Sequence, residues 1–175
     1  AAHRQISQIA LKRLGLDAVW WLVTPGNPLK DNRGLPSLAE RMQQAAALAD
    51  DPRILITGVE AEWGLRFTID VLRRLKRTCP GTHFVWLMGS DKLAGFARWR
   101  NWPDIAAIVP IAVIDRPGTT LKALHGVAAA RLMRSRLPEH NARALPTRQA
   151  PAWVFLHGRR SSLSSTAIRA AQKSG

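Results

Sequence analysis

Short, continuous apolar runs alternate along this chain with amphipathic helical patterns, and that alternation restricts the fold more than any other feature. The runs are Ala18-Val19-Trp20-Trp21-Leu22-Val23, residues 53–59, residues 83–88, Ile111-Ala112-Val113-Ile114 and Ala152-Trp153-Val154-Phe155-Leu156. Unbroken apolar runs of about four to eight residues read as strands buried on both faces, the habit of parallel sheets. Between them lie helical stripes. Ile6, Ile9, Ala10 and Leu14 mark a helix over 3–14 that Gly15 stops. Ser37-Leu38-Ala39-Glu40 is a capping box for a helix reaching about residue 49. Residues 60–67 read as a loop, after which Thr68 caps a helix with Ile69, Leu72 and Leu75 inward, ended by Pro80-Gly81. A short helix carries Leu93 and Phe96, a longer one spans 120–137, and a last one spans 166–173. Residues 138–151, rich in Pro and Arg, read as a loop. The pattern predicts an α/β fold: a Rossmann-like, doubly wound, mostly parallel sheet with helices on both faces, in one domain over 1–175.

Ligands of such sheets sit beyond the carboxyl ends of the strands. Here those ends lead to Thr24-Pro25-Gly26-Asn27-Pro28-Leu29-Lys30, to Glu60 and Glu62, to Gly89-Ser90-Asp91, to Arg116-Pro117-Gly118 and to Ser164-Ser165-Thr166. Small, polar and charged residues recur at every end, which suggests a ligand bearing phosphates. The last turn is the richest: Ser161-Ser162-Leu163-Ser164-Ser165-Thr166-Ala167-Ile168-Arg169 links the final strand to the final helix. Free N–H groups and the helix dipole converge there on one point, an anion site, and Arg169 adds a planar fork of donors. A Ser/Thr helix cap accounts for the same residues.

Composition narrows the class. Lys and Arg number 26 against 12 Asp and Glu, a net charge of +14, so polyanions and phosphorylated small molecules are both candidate partners. The basic clusters Arg73-Arg74-Lys76-Arg77 and Arg131-Arg134-Arg136 read as solvated polar faces of helices, and residues 143–148 as a charged loop. No basic stripe interleaved with aromatics argues for a dedicated nucleic-acid surface. Cys79 is the one cysteine, which excludes a disulfide framework and a Cys-based zinc site, and fits a cytoplasmic location. No run of about eighteen apolar residues suggests a membrane span, and no signal peptide is visible.

These motifs, in this order and spacing, resemble the bacterial nicotinate-nucleotide adenylyltransferases, members of the nucleotidyltransferase superfamily with a histidine-x-glycine-histidine motif. The matching pieces are 24–30; Gly89-Ser90-Asp91 with Phe96 and Trp99 after it; Arg116-Pro117-Gly118; and 163–169. His3 fits the second motif histidine, and Ala2 stands where the family usually has glycine. The resemblance implies that a strand, a glycine-rich turn and a first histidine precede these residues in the family, so that the chain as given is a fragment.

The resemblance implies transfer of AMP from ATP to nicotinate mononucleotide, with release of pyrophosphate, in NAD biosynthesis. Magnesium is expected to accompany ATP, with no dedicated protein metal site. His3 and Arg169 would be catalytic. ATP would be bound by His3, Gly89, Asp91, Arg116, Ser164, Ser165, Thr166 and Arg169. Within that set Asp91 would accept from the ribose hydroxyls, and the Ser-Ser-Thr turn would hold the β- and γ-phosphates. The mononucleotide would meet Lys30, Thr68 and Trp99, the indole stacking on the pyridine ring and Thr68 helping the carboxylate. From the residues alone His3 reads as a surface histidine, Thr68 and Asp91 are helix N-caps, Arg116 a turn arginine, and Trp20, Trp21 and Trp102 core. Glu60 and Glu62 receive no role. A homo-oligomer is compatible with the sequence. The alternatives are another adenylyltransferase of the superfamily, such as one acting on phosphopantetheine, and a basic nucleic-acid-binding α/β domain.

Overall fold

The computed structural model describes residues 2–26 and 34–158. Its elements, in chain order, are α1 (Ala2–Ala10), continued by a wider π turn (Leu11–Gly15), β1 (Val19–Leu22), α2 (Leu38–Leu48), β2 (Ile54–Thr57), α3 (Val59–Glu62), α4 (Thr68–Thr78), β3 (Trp86–Gly89), α5 (Ser90–Leu93), α6 (Trp102–Ile108), β4 (Ile111–Ile114), α7 (Thr120–Leu124), α8 (Val127–Arg131), β5 (Arg136–Leu137) and β6 (Trp153–Leu156). Among the described residues every strand pair is parallel, the pairing that continuous apolar runs favour. They form two sheets, β1-β2 and β3-β4-β6-β5.

Side-chain alternation gives β4 and β6, the central strands of the larger sheet, two buried faces. On one face Ala112, Ile114, Val154 and Leu156 meet Ala10 and Leu14 of the first helix and its π turn. Leu11, one residue round from Ala10, packs instead on Val19 and Ile54 of the smaller sheet. One helix thus lies over both sheets. On the other face Ile111, Val113, Trp153 and Phe155 pack against Ile69, Leu72 and Leu75 of α4, Ile105 of α6 and Ala128 of α8. Helices on both faces of parallel strands make the architecture doubly wound.

Several local expectations change. The single helix over 120–137 is broken into α7, α8, a 3-10 turn and β5, the chain leaving helical geometry at Gly126, which is extended (φ −74°, ψ 158°). The segment 138–151 is largely 3-10 helix (Glu139–Thr147) that buries Ala142 and Leu145. Helix α6 falls where the sequence pattern assigned no element, with Pro103 in its first turn, a position where the missing N–H costs nothing. Trp102 is core, as its apolar setting suggested, but Trp20 is 41 % exposed and Trp21 half-buried. The capping box forms as read: Ser37 Oγ accepts from Glu40 N–H, and Glu40 accepts from Ser37 N–H.

Candidate active site

Strands β3 and β4 end side by side, Gly89 in register with Ile114. The chain leaves β3 directly into α5 and leaves β4 into Asp115-Arg116-Pro117-Gly118, where Gly118 takes φ +81°. These two exits bring Gly89, Asp91 and Arg116 together. Arg116 Nη1 donates to Asp91 Oδ1 at 3.0 Å, and Lys92 Nζ stands 4.0 Å from the other carboxylate oxygen. The pair lies directly over Gly89: a β-carbon there would sit 2.5 Å from Asp91 Oδ1 and 2.7 Å from Arg116 Cδ. Glycine here leaves room for the close approach of the pair, which any side chain would have to displace; its backbone conformation makes no such requirement. Both side chains keep about a third of their surface open (30 % for Asp91, 35 % for Arg116), so each retains hydrogen-bonding capacity for a ligand.

Asp91 is not a helix cap. Gly89 occupies the cap position, and the Asp91 carboxylate is turned to Arg116 instead. Thr68 is not a cap either. It is the first helical residue of α4, Phe67 holds the cap position, and among the described residues no side chain caps the end. The N–H groups of Asp70 and Val71 both return to the Phe67 carbonyl. The N–H groups of Thr68 and Ile69 are the remaining first-turn donors, with the positive end of the dipole behind them.

Trp99 is half-buried, edge-on to Phe96 (centroids 5.4 Å) and to Trp86 (6.2 Å). Its neighbour Arg100 lays a guanidinium over the Phe67 ring at 4.4 Å. Arg73 of α4 reaches Asp104 of α6 at 2.9 Å. These contacts hold the start of α4, with Thr68, against the turn that carries Trp99. His3 is exposed at the start of α1. Its carbonyl accepts from Ser7 Oγ (2.9 Å), which in turn receives Trp21 Nε1 (2.8 Å), and its ring stands edge-on to Trp21. His3 is thereby tied to β1, and no contact among the described residues joins it to the Asp91–Arg116 pair. Lys30, Ser164, Ser165, Thr166 and Arg169 lie outside the described residues.

Two features at the strand ends escaped the sequence. Ser90 is fully buried, and its Oγ accepts from the Arg116 N–H at 2.8 Å. A serine between glycine and aspartate carries no sequence sign of burial. Glu60, in α3 just past β2, is 7 % exposed, and burial pushes its carboxyl up to about 7. Its place directly after a strand was the available signal. Among the described residues no group of three or more His, Cys, Asp or Glu could hold a metal ion, and no helix is long and apolar enough to cross a membrane.

Residues 1–171 match the cytidylyltransferase-like family. A probable nicotinate-nucleotide adenylyltransferase of Methylorubrum extorquens is 56 % identical over 169 residues, covering 97 % of this chain and 91 % of the relative. One from Brucella suis is 51 % identical over 170 residues (97 % and 88 %), and one from a Bradyrhizobium species 56 % over 168 (96 % and 88 %). Among solved structures, Plasmodium falciparum nicotinic acid mononucleotide adenylyltransferase complexed with APC superposes with a TM-score of 0.63 at 14 % identity, over 97 % of this chain and 75 % of that one. That likeness is one of fold.

Proposed function

This chain belongs to the cytidylyltransferase-like family, and from its likeness to named relatives within it we propose that it is a nicotinate-nucleotide adenylyltransferase, moving AMP from ATP to nicotinate mononucleotide and releasing pyrophosphate. The observation that carries the reading is identity of 50–56 % to enzymes of that name over nearly the whole chain. The reaction serves NAD biosynthesis.

A phosphate oxygen of the mononucleotide attacks the α-phosphorus of ATP. One P–O bond forms, the bond to the β-phosphate bridge breaks, and pyrophosphate leaves. The protein needs no nucleophile. Its task is to align two anions and to hold the charge that gathers on their oxygens. The Asp91–Arg116 pair suits the ATP half: the carboxylate accepts from ribose hydroxyls while the guanidinium faces phosphate or adenine. His3 donates a hydrogen bond to the ATP phosphates, Arg169 neutralises their charge, and Ser164, Ser165 and Thr166 hold the β- and γ-phosphates. Magnesium enters on the ATP phosphates as part of that substrate.

For the mononucleotide half, Thr68 offers its hydroxyl and the first-turn N–H groups of α4 to a carboxylate. Trp99 offers an indole face to an electron-poor pyridine ring, and Lys30 a charge to the phosphate. A carboxylate adds a negative charge that those donors read and a neutral amide does not, so the acid substrate is preferred. Pyrophosphate release from ATP, compared with nicotinate mononucleotide, nicotinamide mononucleotide and phosphopantetheine as acceptors, tests the reading. Release with the acid mononucleotide in clear excess over both others is expected. Release with phosphopantetheine alone, or with none, overturns it.

A further inference from the structure

We infer that Ser90 and Thr119 are positioning residues of the nucleotide site, locking the backbone of Arg116 so that its guanidinium is held on Asp91; the inference rests on the adenylyltransferase reading.

Hydrogen bonding at the β3 and β4 exits closes on itself. The Arg116 N–H donates to Ser90 Oγ at 2.8 Å. Ser90 Oγ lies 2.6 Å from Thr119 Oγ1. Thr119 Oγ1 donates to the Arg116 carbonyl at 3.0 Å. The proton count fixes the middle link. A hydroxyl has one hydrogen. Thr119 spends its own on the carbonyl, so the Ser90 hydroxyl must donate to Thr119. Each hydroxyl then gives one bond and takes one, and both backbone groups of Arg116 are engaged. The Thr119 N–H adds a second bond to the same carbonyl at 3.2 Å.

A buried hydroxyl needs hydrogen-bond partners in any fold; what is particular here is the residue that it holds. A type of turn rich in Pro and Gly closes without outside help. Here the turn is pinned from the neighbouring strand's exit by a serine with no exposed surface. The residue so pinned is the one whose side chain runs over Gly89 to Asp91. Thr120 Oγ1 holds the preceding residue as well, donating to Asp115 Oδ1 at 2.6 Å. An ion pair one-third open to solvent is worth little to stability by itself. Fixing its arginine at the backbone lowers the ordering cost when a nucleotide replaces water around it.

The test uses Ser90→Ala, Thr119→Val and Thr119→Ser, each also combined with Arg116→Ala, with KM measured for both substrates and ATP binding followed by calorimetry. Losing one member of a buried hydrogen-bonded set should raise KM for ATP about five- to tenfold in Ser90→Ala and in Thr119→Val. KM for the mononucleotide should stay within about twofold, since no member of the ring reaches the Thr68–Trp99 side. Thr119→Ser keeps the hydroxyl and should restore ATP binding. In the Arg116→Ala background the Ser90 and Thr119 changes should have no further effect on ATP. Equal losses for both substrates, or an undiminished effect without the Arg116 side chain, would show a merely structural role and sink the inference. So would normal ATP binding in both single variants. If Ser90→Ala does not fold, the two Thr119 variants carry the same comparison. Failure of the parent reading looks different: the unmodified chain would then release no pyrophosphate from ATP with the mononucleotide.

Discussion

Glu60 shows how much a single buried carboxyl can control. Its side chain is almost wholly enclosed, and burial moves its carboxyl from 4.5 to about 7. The folded state therefore favours the protonated form. The stability linked to this group is complete below the ordinary carboxylate range and is lost as pH rises through about 7. The shift corresponds to at most about 3 kcal/mol. Glu60→Gln stays neutral at every pH. Its melting temperature should sit close to the parent's near about pH 5 and exceed it by a few degrees near about pH 8. A gap that does not change with pH would mean that packing, not ionisation, sets the cost. Sequence placed Glu60 after a strand but could not reveal its burial, which depends on what folds over α3. Gly89 teaches the complementary lesson. Its identity was plain, but the reason for it, an ion pair crossing the bare backbone, exists only once β3 and β4 are adjacent.

At the scale of elements, the exit of β6 is gripped by one side chain. Glu139 accepts from Arg13 Nη1 (2.6 Å) and from His157 N–H (2.9 Å), and its second oxygen meets His157 Nδ1 at 2.6 Å. Arg13 Nη1 also donates to the His157 carbonyl at 3.3 Å. Three segments far apart in sequence are joined: the π turn after α1, the 3-10 segment from Glu139, and the residue following β6. Burial alone would push the Glu139 carboxyl up; the His157 and Arg13 bonds outweigh it and hold it below its ordinary range. The stability this brings is present above that range and fades as pH falls through the lowered value. Glu139→Gln should cost about 1–2 kcal/mol at neutral pH. Thermal melts across an acid series should show the difference closing; a constant difference would remove the carboxylate from the account. Elements whose ends are written locally were legible: the capping box of α2, the glycine stop after α1, the apolar stripe of α4. Those decided by distant contacts were not. The run 120–137 looks like one helix, yet it is interrupted at an extended Gly126 and Ala128 and Ala129 beyond it join the core; 138–151 looks like a loop until Ala142 and Leu145 find the core.

Across the whole molecule, the excess of positive charge is used in more than one way. Arg74 lies over Trp63 at 4.9 Å, Arg131 over Trp102 at 5.6 Å, and Arg136 over Trp153 at 5.1 Å. The basic clusters are therefore not simply solvated helix faces; several of their arginines pack on aromatic rings, and Arg136 sits in a strand. The net +14 still raises the local concentration of two anionic substrates. KM for ATP should rise several-fold between about 50 and about 300 mM salt, as the Debye length falls from roughly 14 Å to roughly 6 Å. A KM indifferent to salt would mean that the site's contacts are too enclosed to be screened. The chain by itself determined the α/β class, parallel pairing and the strand ends where ligand-type residues gather, because periodicity and turn chemistry are local properties. The tertiary structure alone decided that the strands form two sheets under one helix, that Ser90 and Thr119 close a ring around Arg116, and that Asp91 faces an arginine instead of capping a helix. Those outcomes depend on which surfaces meet, and no local pattern encodes a meeting between residues that only the fold makes neighbours.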